Sequence, residues 1–490
     1  ARQAFAWGAV GAIAVAATAV AIAFAHGYGF HRDELYFMQA GHHPAWGYDD
    51  QPPLTPLIAR GATAVFGSTP AGLRVPSALA MVACTLLTAA TARELGGGRR
   101  AQVVGALALA TSALVFTGHL VSTTTYDFLG WTVLLYLVVR IRQRQEPRLW
   151  LVFGLVLGVA LENKWLPVTL VATLLIAALL SGDVRAIRSR WLAAGLLLAL
   201  ALWLPNLIWQ ADHGWPQREL ANQIAQDDPV GARIKFLPFQ LLIVSPFLVY
   251  IWLAGLRWLL RAPEAGMVRV LGFRYLVLLA LCLLTGAKEY YAIGWYPLLL
   301  AAGAVALEPR WAEQRARRRL AAALVVSAAI AWTIQLPLTP QSAVHANPLV
   351  QLNTDTLETI GWPRFVDSVA QVRRHLPPAQ RARAVIFTAN YGEAGAIQQY
   401  GPSRGLPRAY SGHNSFASFG QPPAGAAPVI AIGFSDRAYL ARFFRSCRLA
   451  LRFDNRLQVD NEEQGAPIDV CTGPRQPWPR LWPRLHHLDA

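Results

Sequence analysis

Lysine is almost missing from this chain: of its 44 basic residues only Lys164, Lys235 and Lys288 are lysines, and the rest are arginine. Charge of either sign is scarce too, at 15% of 490 residues against 54% apolar, and the mean hydropathy is positive. Soluble domains carry about 25% charged residues, so an ordinary soluble globular protein is excluded. Cysteines number four, and no Cys-x2-Cys or His-x3-His spacing fixes a metal geometry. No Gly-rich nucleotide loop, fixed-period repeat, inverted repeat or low-complexity tract is visible. Nothing therefore favours nucleotide binding or a repeat-built architecture.

What is present is apolar sequence. Runs near the ~20 residues that cross a bilayer occur eleven times, centred near residues 15, 83, 109, 134, 156, 173, 200, 248, 277, 300 and 328. The expectation is a mainly α, polytopic membrane protein with about eleven transmembrane helices. Ala23-Phe24-Ala25 has the small-residue pattern of a signal-peptidase site, but the run before it reads as a retained helix. Basic clusters recur in alternate short connections: Arg93-Arg99-Arg100, Arg140-Arg142-Arg144-Arg148, Arg185-Arg188-Arg190, Arg257-Arg261-Arg269 and Arg315-Arg317-Arg318-Arg319. These mark the cytoplasmic side. The net charge of +16 is then a topology signal, and no nucleic-acid partner is expected.

Past Gln335 the apolar density collapses, and Pro337-Leu338-Thr339-Pro340 marks a boundary. Residues 1–336 read as the membrane module and 337–490 as a soluble α/β domain on the extracytoplasmic side. Strand patterns appear at Ala384–Thr388, Val429–Gly433 and Leu449–Phe453. Cys84 and Cys282 fall in apolar runs as packing residues, whereas Cys447 and Cys471 lie in this outer region and are expected to form a disulfide. The first outer loop, 27–73, contains an amphipathic segment, Leu54–Phe66, suited to the membrane surface.

Chemistry-bearing residues gather in the outer connections. His31-Arg32-Asp33-Glu34 places two adjacent carboxylates just past the first apolar run, where acids are costly and usually functional. Asp127 closes the hydroxyl-rich segment Gly118-His119-Leu120-Val121-Ser122-Thr123-Thr124-Thr125-Tyr126. Each acid serves either as a helix cap or as a general base and its orienting partner. By this topology all three lysines also face outward, either as snorkelling side chains or as point charges suited to phosphate. His31, His42, His43, Asp49 and Asp50 are dense enough to admit a divalent metal without fixing a site for one. Asn390-Tyr391-Gly392-Glu393-Ala394-Gly395-Ala396 resembles a loop opening a helix, but a lone glycine pair is weak evidence of phosphate binding, and it reads better as a structural turn.

Several motifs together resemble the GT-C superfamily, in particular glycosyltransferase family 39 with its protein O-mannosyltransferases and lipid A aminoarabinose transferases. They are Arg32-Asp33-Glu34 with Tyr36, Gln51-Pro52-Pro53-Leu54, Leu73-Arg74-Val75-Pro76-Ser77-Ala78, Thr123 to Asp127, Asn163-Lys164, and Lys288-Glu289-Tyr290-Tyr291 with Pro297. The likeness spans roughly residues 5 to 310. It implies a GT-C membrane fold and transfer of a sugar from a polyprenyl phosphate to an acceptor hydroxyl, with inversion and no required cofactor. By the same resemblance Asp33 is the base, Glu34 supports it, Asp127 is the second acid and Lys288 is the cation on the donor phosphate, with Lys164 and Arg74 as further candidate phosphate contacts. Gln51, Tyr290, Tyr291 and His119 are candidate substrate contacts. Gln51 stands where the aminoarabinose transferases carry Lys, which argues against aminoarabinose as the sugar; a mannose-type sugar is the expectation because mannose is common among the relatives that the chain resembles. The acceptor is a protein, glycan, glycolipid or natural-product hydroxyl. The rival reading is a transporter or flippase of lipid-linked sugars. The Arg-biased basic set points to a GC-rich bacterial genome, and the expected location is the bacterial plasma membrane.

Overall fold

The computed structural model describes residues 3–180, 188–227 and 229–489, and Arg185 of the third basic cluster lies outside them. Helices dominate as far as residue 335. Ten of the eleven run centres fall inside helices, from Trp7–Ala23 and Pro70–Glu94 through to Tyr296–Leu307 and Gln314–Gln335. The exception is residue 248. It lies at a break between Pro229–Leu242 and Val249–Arg261, where Ser245 takes a φ of 136° ahead of Pro246. Proline lacks the N–H a helix needs and disfavours helical backbone in the residue before it.

Among the described residues, Pro70–Glu94, Arg190–Asp212 and Glu289–Ala312 are long and apolar enough to cross a membrane alone. Trp7–Ala23, Leu149–Leu161 and Val270–Thr285 are apolar but shorter. Leu197, Leu284 and Val325 turn outward and are exposed, as suits a lipid-facing surface. Without a hydrophobic driving force between helices in lipid, close backbone packing takes over. A methyl on Gly154 would sit 2.0 Å from the Gly195 carbonyl oxygen, so these two helices meet through glycine.

The segment 27–73 holds two helices. Leu54–Phe66 has the expected bounds, and a polar helix, Arg32–His42, precedes it. Beyond residue 384 a five-stranded sheet forms from β1 (Val385–Thr388), β2 (Ala409–Ser411), β3 (Val429–Ile432), β4 (Phe444–Arg452) and β5 (Pro467–Pro474). Its order is β2-β1-β3-β5-β4, with β2, β1 and β3 parallel and the β5 contacts antiparallel. Cys447 and Cys471 face each other across β4 and β5 and are joined by a disulfide. Cys84 and Cys282 are free and buried.

The sheet region shares a core with the segment 27–73. Phe30, Leu35, Tyr36 and Phe37 pack in one apolar cluster with Phe365, Val366, Ile386 and Ile430. Behind that seam lie two buried acids. Burial and the nearby Glu393 push Glu463 up to about 8, and burial pushes Glu393 up to about 7, with Arg32 opposing both shifts. Glu358 and Glu462 also face Glu463 and raise it further. Each of these two acids therefore keeps its proton to a higher pH in the folded chain than in the unfolded one, up to about 8 for Glu463 and about 7 for Glu393. The stability that the two acids contribute is full below about pH 4.5 and is lost as pH rises from there to about 7 and 8. Thermal unfolding should occur at a lower temperature at pH 8.5 than at pH 5.5. Glu463→Gln should flatten that slope and raise Tm at pH 8.5 by roughly 5 °C.

Candidate active site

The segments expected on one face converge on a cavity of about 770 Å³. Its wall takes Tyr28 and His31 to Asp33 from the segment after the first helix, Thr117 and His119 to Thr124 from the next connection, Lys288, Glu289, Tyr290 and Ile293, and most of 352–359 from beyond the last long helix. Asp33, His119, Lys288 and Tyr290 all line it.

His31 is the cap of the Arg32–His42 helix: its Nδ1 accepts the Asp33 backbone N–H at 3.2 Å. That bond makes Nδ1 the unprotonated nitrogen and puts the imidazole proton on Nε2, which faces Glu358 at 3.6 Å. Glu34 completes a capping box by accepting the His31 N–H at 2.9 Å. The two adjacent acids thus part company at the first helical turn. Asp33 has a side chain 35% exposed, whereas Glu34 is 0% exposed.

Glu34 takes the capping role expected of the acids, and it and Arg74 are engaged with each other. Glu34 accepts from Arg74 Nε and Nη2, each at 2.8 Å, and from the Val121 N–H at 3.0 Å. The Arg74 guanidinium also donates to the Ala25 carbonyl at 2.6 Å and the Gly29 carbonyl at 2.7 Å. Every guanidinium nitrogen therefore donates to a protein acceptor, although Arg74 touches the cavity. The pair locks the segment after the first helix to the Pro70–Glu94 helix. Four of the five Arg74 N–H donors are thus taken up by the protein, and Glu34 is closed off from the cavity.

Asp127 also moves away from direct chemistry. It is buried off the cavity wall and accepts from Trp131 Nε1 at 3.2 Å, while Ser122 caps the Thr123–Arg144 helix. Asp127 interacts electrostatically with Lys164. Buried Asn163 sets that lysine's position by accepting from Thr55 Oγ1 at 2.6 Å and donating to the Thr123 carbonyl at 2.8 Å. Lys164 Nζ lies 5.1 and 5.4 Å over the Tyr290 and Tyr291 rings, within cation–π range, and 3.5 Å from Thr124 Oγ1. Lys164 and Tyr291 thus stand one layer behind the cavity wall. Lys288 lies on the wall itself, at the start of the 3-10 turn Glu289–Trp295. Lys235 is exposed and takes no part in the wall.

His119 is buried and held neutral, its imidazole pushed down to about 3 by burial and the Arg74 charge. Gln51 is buried off the wall, and its carbonyl accepts the Tyr48 N–H at 2.9 Å. That bond is made by the backbone, and the side-chain Nε2 is buried without a hydrogen-bond partner among the described residues. The histidines and acids of the first segment scatter: His43 stacks on Phe419, Asp49 pairs with His486 at 3.1 Å, and Asp50 accepts from Tyr36 at 2.7 Å. Among the described residues no group of three or more His, Cys, Asp or Glu could hold a metal ion.

Sequence reasoning missed the wall supplied by the C-terminal region. Asp355, Glu358 and Glu462 reach the cavity, and Arg32 pairs with both glutamates. Tyr391 donates its hydroxyl to Asp33 Oδ1 at 2.9 Å. The turn at 390 is a capping box made by Asn390 and Glu393. The glycine spacing at 392 and 395 was the available signal, because it marks a close helix approach.

Residues 50–209 match the family described as "Dolichyl-phosphate-mannose-protein mannosyltransferase". No curated protein sequence matches the chain. Among solved structures it resembles ArnT from Cupriavidus metallidurans bound to undecaprenyl phosphate, at 15% identity and a TM-score of 0.62, over 95% of this chain and 98% of that one. The apo state of the same protein matches at 14% identity and 0.59, over 94% and 97%. The oligosaccharyltransferase of Archaeoglobus fulgidus tethered with an acceptor peptide follows at 12% and 0.47, over 82% and 64%. The architecture is the GT-C membrane fold.

Proposed function

We propose, from the GT-C fold, that this chain is a membrane glycosyltransferase that moves a sugar from a polyprenyl phosphate to an acceptor hydroxyl. The observation that carries the reading is the opening of Asp33 and Lys288 onto one cavity of about 770 Å³. Asp33 takes the proton of the acceptor hydroxyl as its oxygen attacks the anomeric carbon. The bond from that carbon to the phosphate oxygen breaks on the opposite face, with inversion, and the phosphate leaves with the electron pair. The departing phosphodiester becomes a monoester and gains negative charge, which Lys288 stabilises, with Lys164 behind it. Ile243, Phe239 and Ile293 supply an apolar stretch of wall for the isoprenoid.

A mannose-type hexose is the proposed sugar, on the strength of the family matched by residues 50–209. The undecaprenyl phosphate named with ArnT supports the donor class. The membrane module is taken as residues 1–336 and the extracytoplasmic part as 337–490, in a bacterial plasma membrane. The Arg clusters of alternate connections support this orientation. The disulfide does so too, since such bonds persist in oxidising compartments.

The test is to offer the purified chain in lipid a panel of polyprenyl-phosphate sugars and follow glycoside formation and donor hydrolysis. No turnover with any donor overturns the proposal. Lys288→Met should weaken donor binding and slow the chemical step, lowering kcat/KM by about 10²- to 10³-fold. Normal kinetics at reduced yield would instead show a structural role for that lysine.

A further inference from the structure

We infer that Tyr391, from the C-terminal region, is the positioning residue for Asp33 and sets which carboxylate oxygen receives the acceptor's proton. The inference rests on the reading of Asp33 as the base.

Its geometric basis is a close contact between two helices. A methyl on Gly395 of the Tyr391–Tyr400 helix would lie 2.8 Å from Leu35 Cβ and 3.0 Å from the Leu35 carbonyl carbon. One on Gly392 would lie 2.7 Å from Arg32 Cβ. Only residues without a side chain admit this approach, and it brings the first residue of one helix against the first turn of the other. The Tyr391 ring is then clamped. It stacks on Tyr36 and on His413, each at 4.5 Å between centroids, and the Arg32 guanidinium carbon lies 5.4 Å from its centre. Nothing in this clamp needs the hydroxyl, which points instead at Asp33 Oδ1.

Oδ1 is therefore occupied by a hydrogen bond from a fixed donor. Burial and the adjacent carboxylate raise Tyr391 well above the usual tyrosine range, so the phenol keeps its proton and donates throughout. Oδ2 faces His31 Nδ1 at 3.9 Å, but that nitrogen already accepts the Asp33 N–H and has no proton to give. Oδ2 is left as the oxygen that takes the acceptor's proton, and the Tyr391 bond fixes the rotation of the carboxylate that aims it. Positioning a reacting group through a second, locked partner contributes through orientation, not through binding.

The test uses the full-length enzyme with a polyprenyl-phosphate hexose and compares Tyr391→Phe, Asp33→Asn and the double variant. Tyr391→Phe keeps the ring clamp, so Tm should be unchanged. Loss of a hydrogen bond to a charged group should lower kcat by about 10- to 100-fold with donor KM unaltered. In the Asp33→Asn background it should have no further effect, because the group it positions is gone. Near-normal kcat in Tyr391→Phe with an inactive Asp33→Asn overturns the inference and leaves the function standing. A raised KM or a lowered Tm at normal kcat also overturns it, by showing a binding or structural role. Full activity of Asp33→Asn removes the base itself, and the inference with it.

Discussion

Arg74→Met should cost about 3–5 kcal/mol of stability, the size seen when one partner of a buried ion pair is removed and the other stays behind uncompensated. Arg74 is 3% exposed and Glu34 0%. Removing the guanidinium leaves the Glu34 carboxylate with only the His31 and Val121 N–H groups, and leaves the Ala25 and Gly29 carbonyls without their donor. Thermal unfolding and the yield of monodisperse protein measure this. A large fall in Tm is expected for both Arg74→Met and Glu34→Ala, and less than their sum for the double variant, because the two residues are in contact. A normal Tm with weakened donor binding would instead return Arg74 to the phosphate.

Asp33→Asn should lower transfer by about 10²- to 10⁴-fold, the range a general base contributes. Asn can still accept the Tyr391 hydroxyl through its amide oxygen, so the fold and the donor site should persist and Tm should move little. Neither Glu34 nor Asp127 can substitute. Glu34 is closed off by four hydrogen bonds, and Asp127 lies off the cavity beneath Trp131. Rates under saturating donor, with donor affinity measured separately by equilibrium binding, separate lost chemistry from lost binding. Matching falls in affinity and rate would contradict a base at this position.

What the sequence makes legible follows from the range of the interactions involved. The apolar runs are local, so their centres land in helices, and the one that does not is interrupted by Ser245-Pro246. The amphipathic Leu54–Phe66 segment is likewise local and forms a helix with the expected ends. Strands β1 and β3, built on the apolar runs Val385–Phe387 and Val429–Ile432, lie within the predicted strands. β2 is only three residues long and β5 has proline at both ends with Asp469 inside, so neither carries a pattern.

At the candidate site the failures are all long-range. The pairing of Glu34 with Arg74 spans 40 positions, and it turns one acid of an adjacent pair into a structural anchor. The Tyr391 bond to Asp33 spans 358 positions. No spacing rule reaches that far, and the resemblance to family 39 ended near residue 310, short of the wall that the C-terminal region adds.

The most direct measurement is the release of polyprenyl phosphate from a labelled polyprenyl-phosphate hexose by the purified chain in lipid, with and without acceptor hydroxyls. The account predicts acceptor-dependent release matched by glycoside formation in the wild type, and none above background in Asp33→Asn despite retained donor binding. Equal release by the two proteins, or no release from any donor sugar, would contradict it.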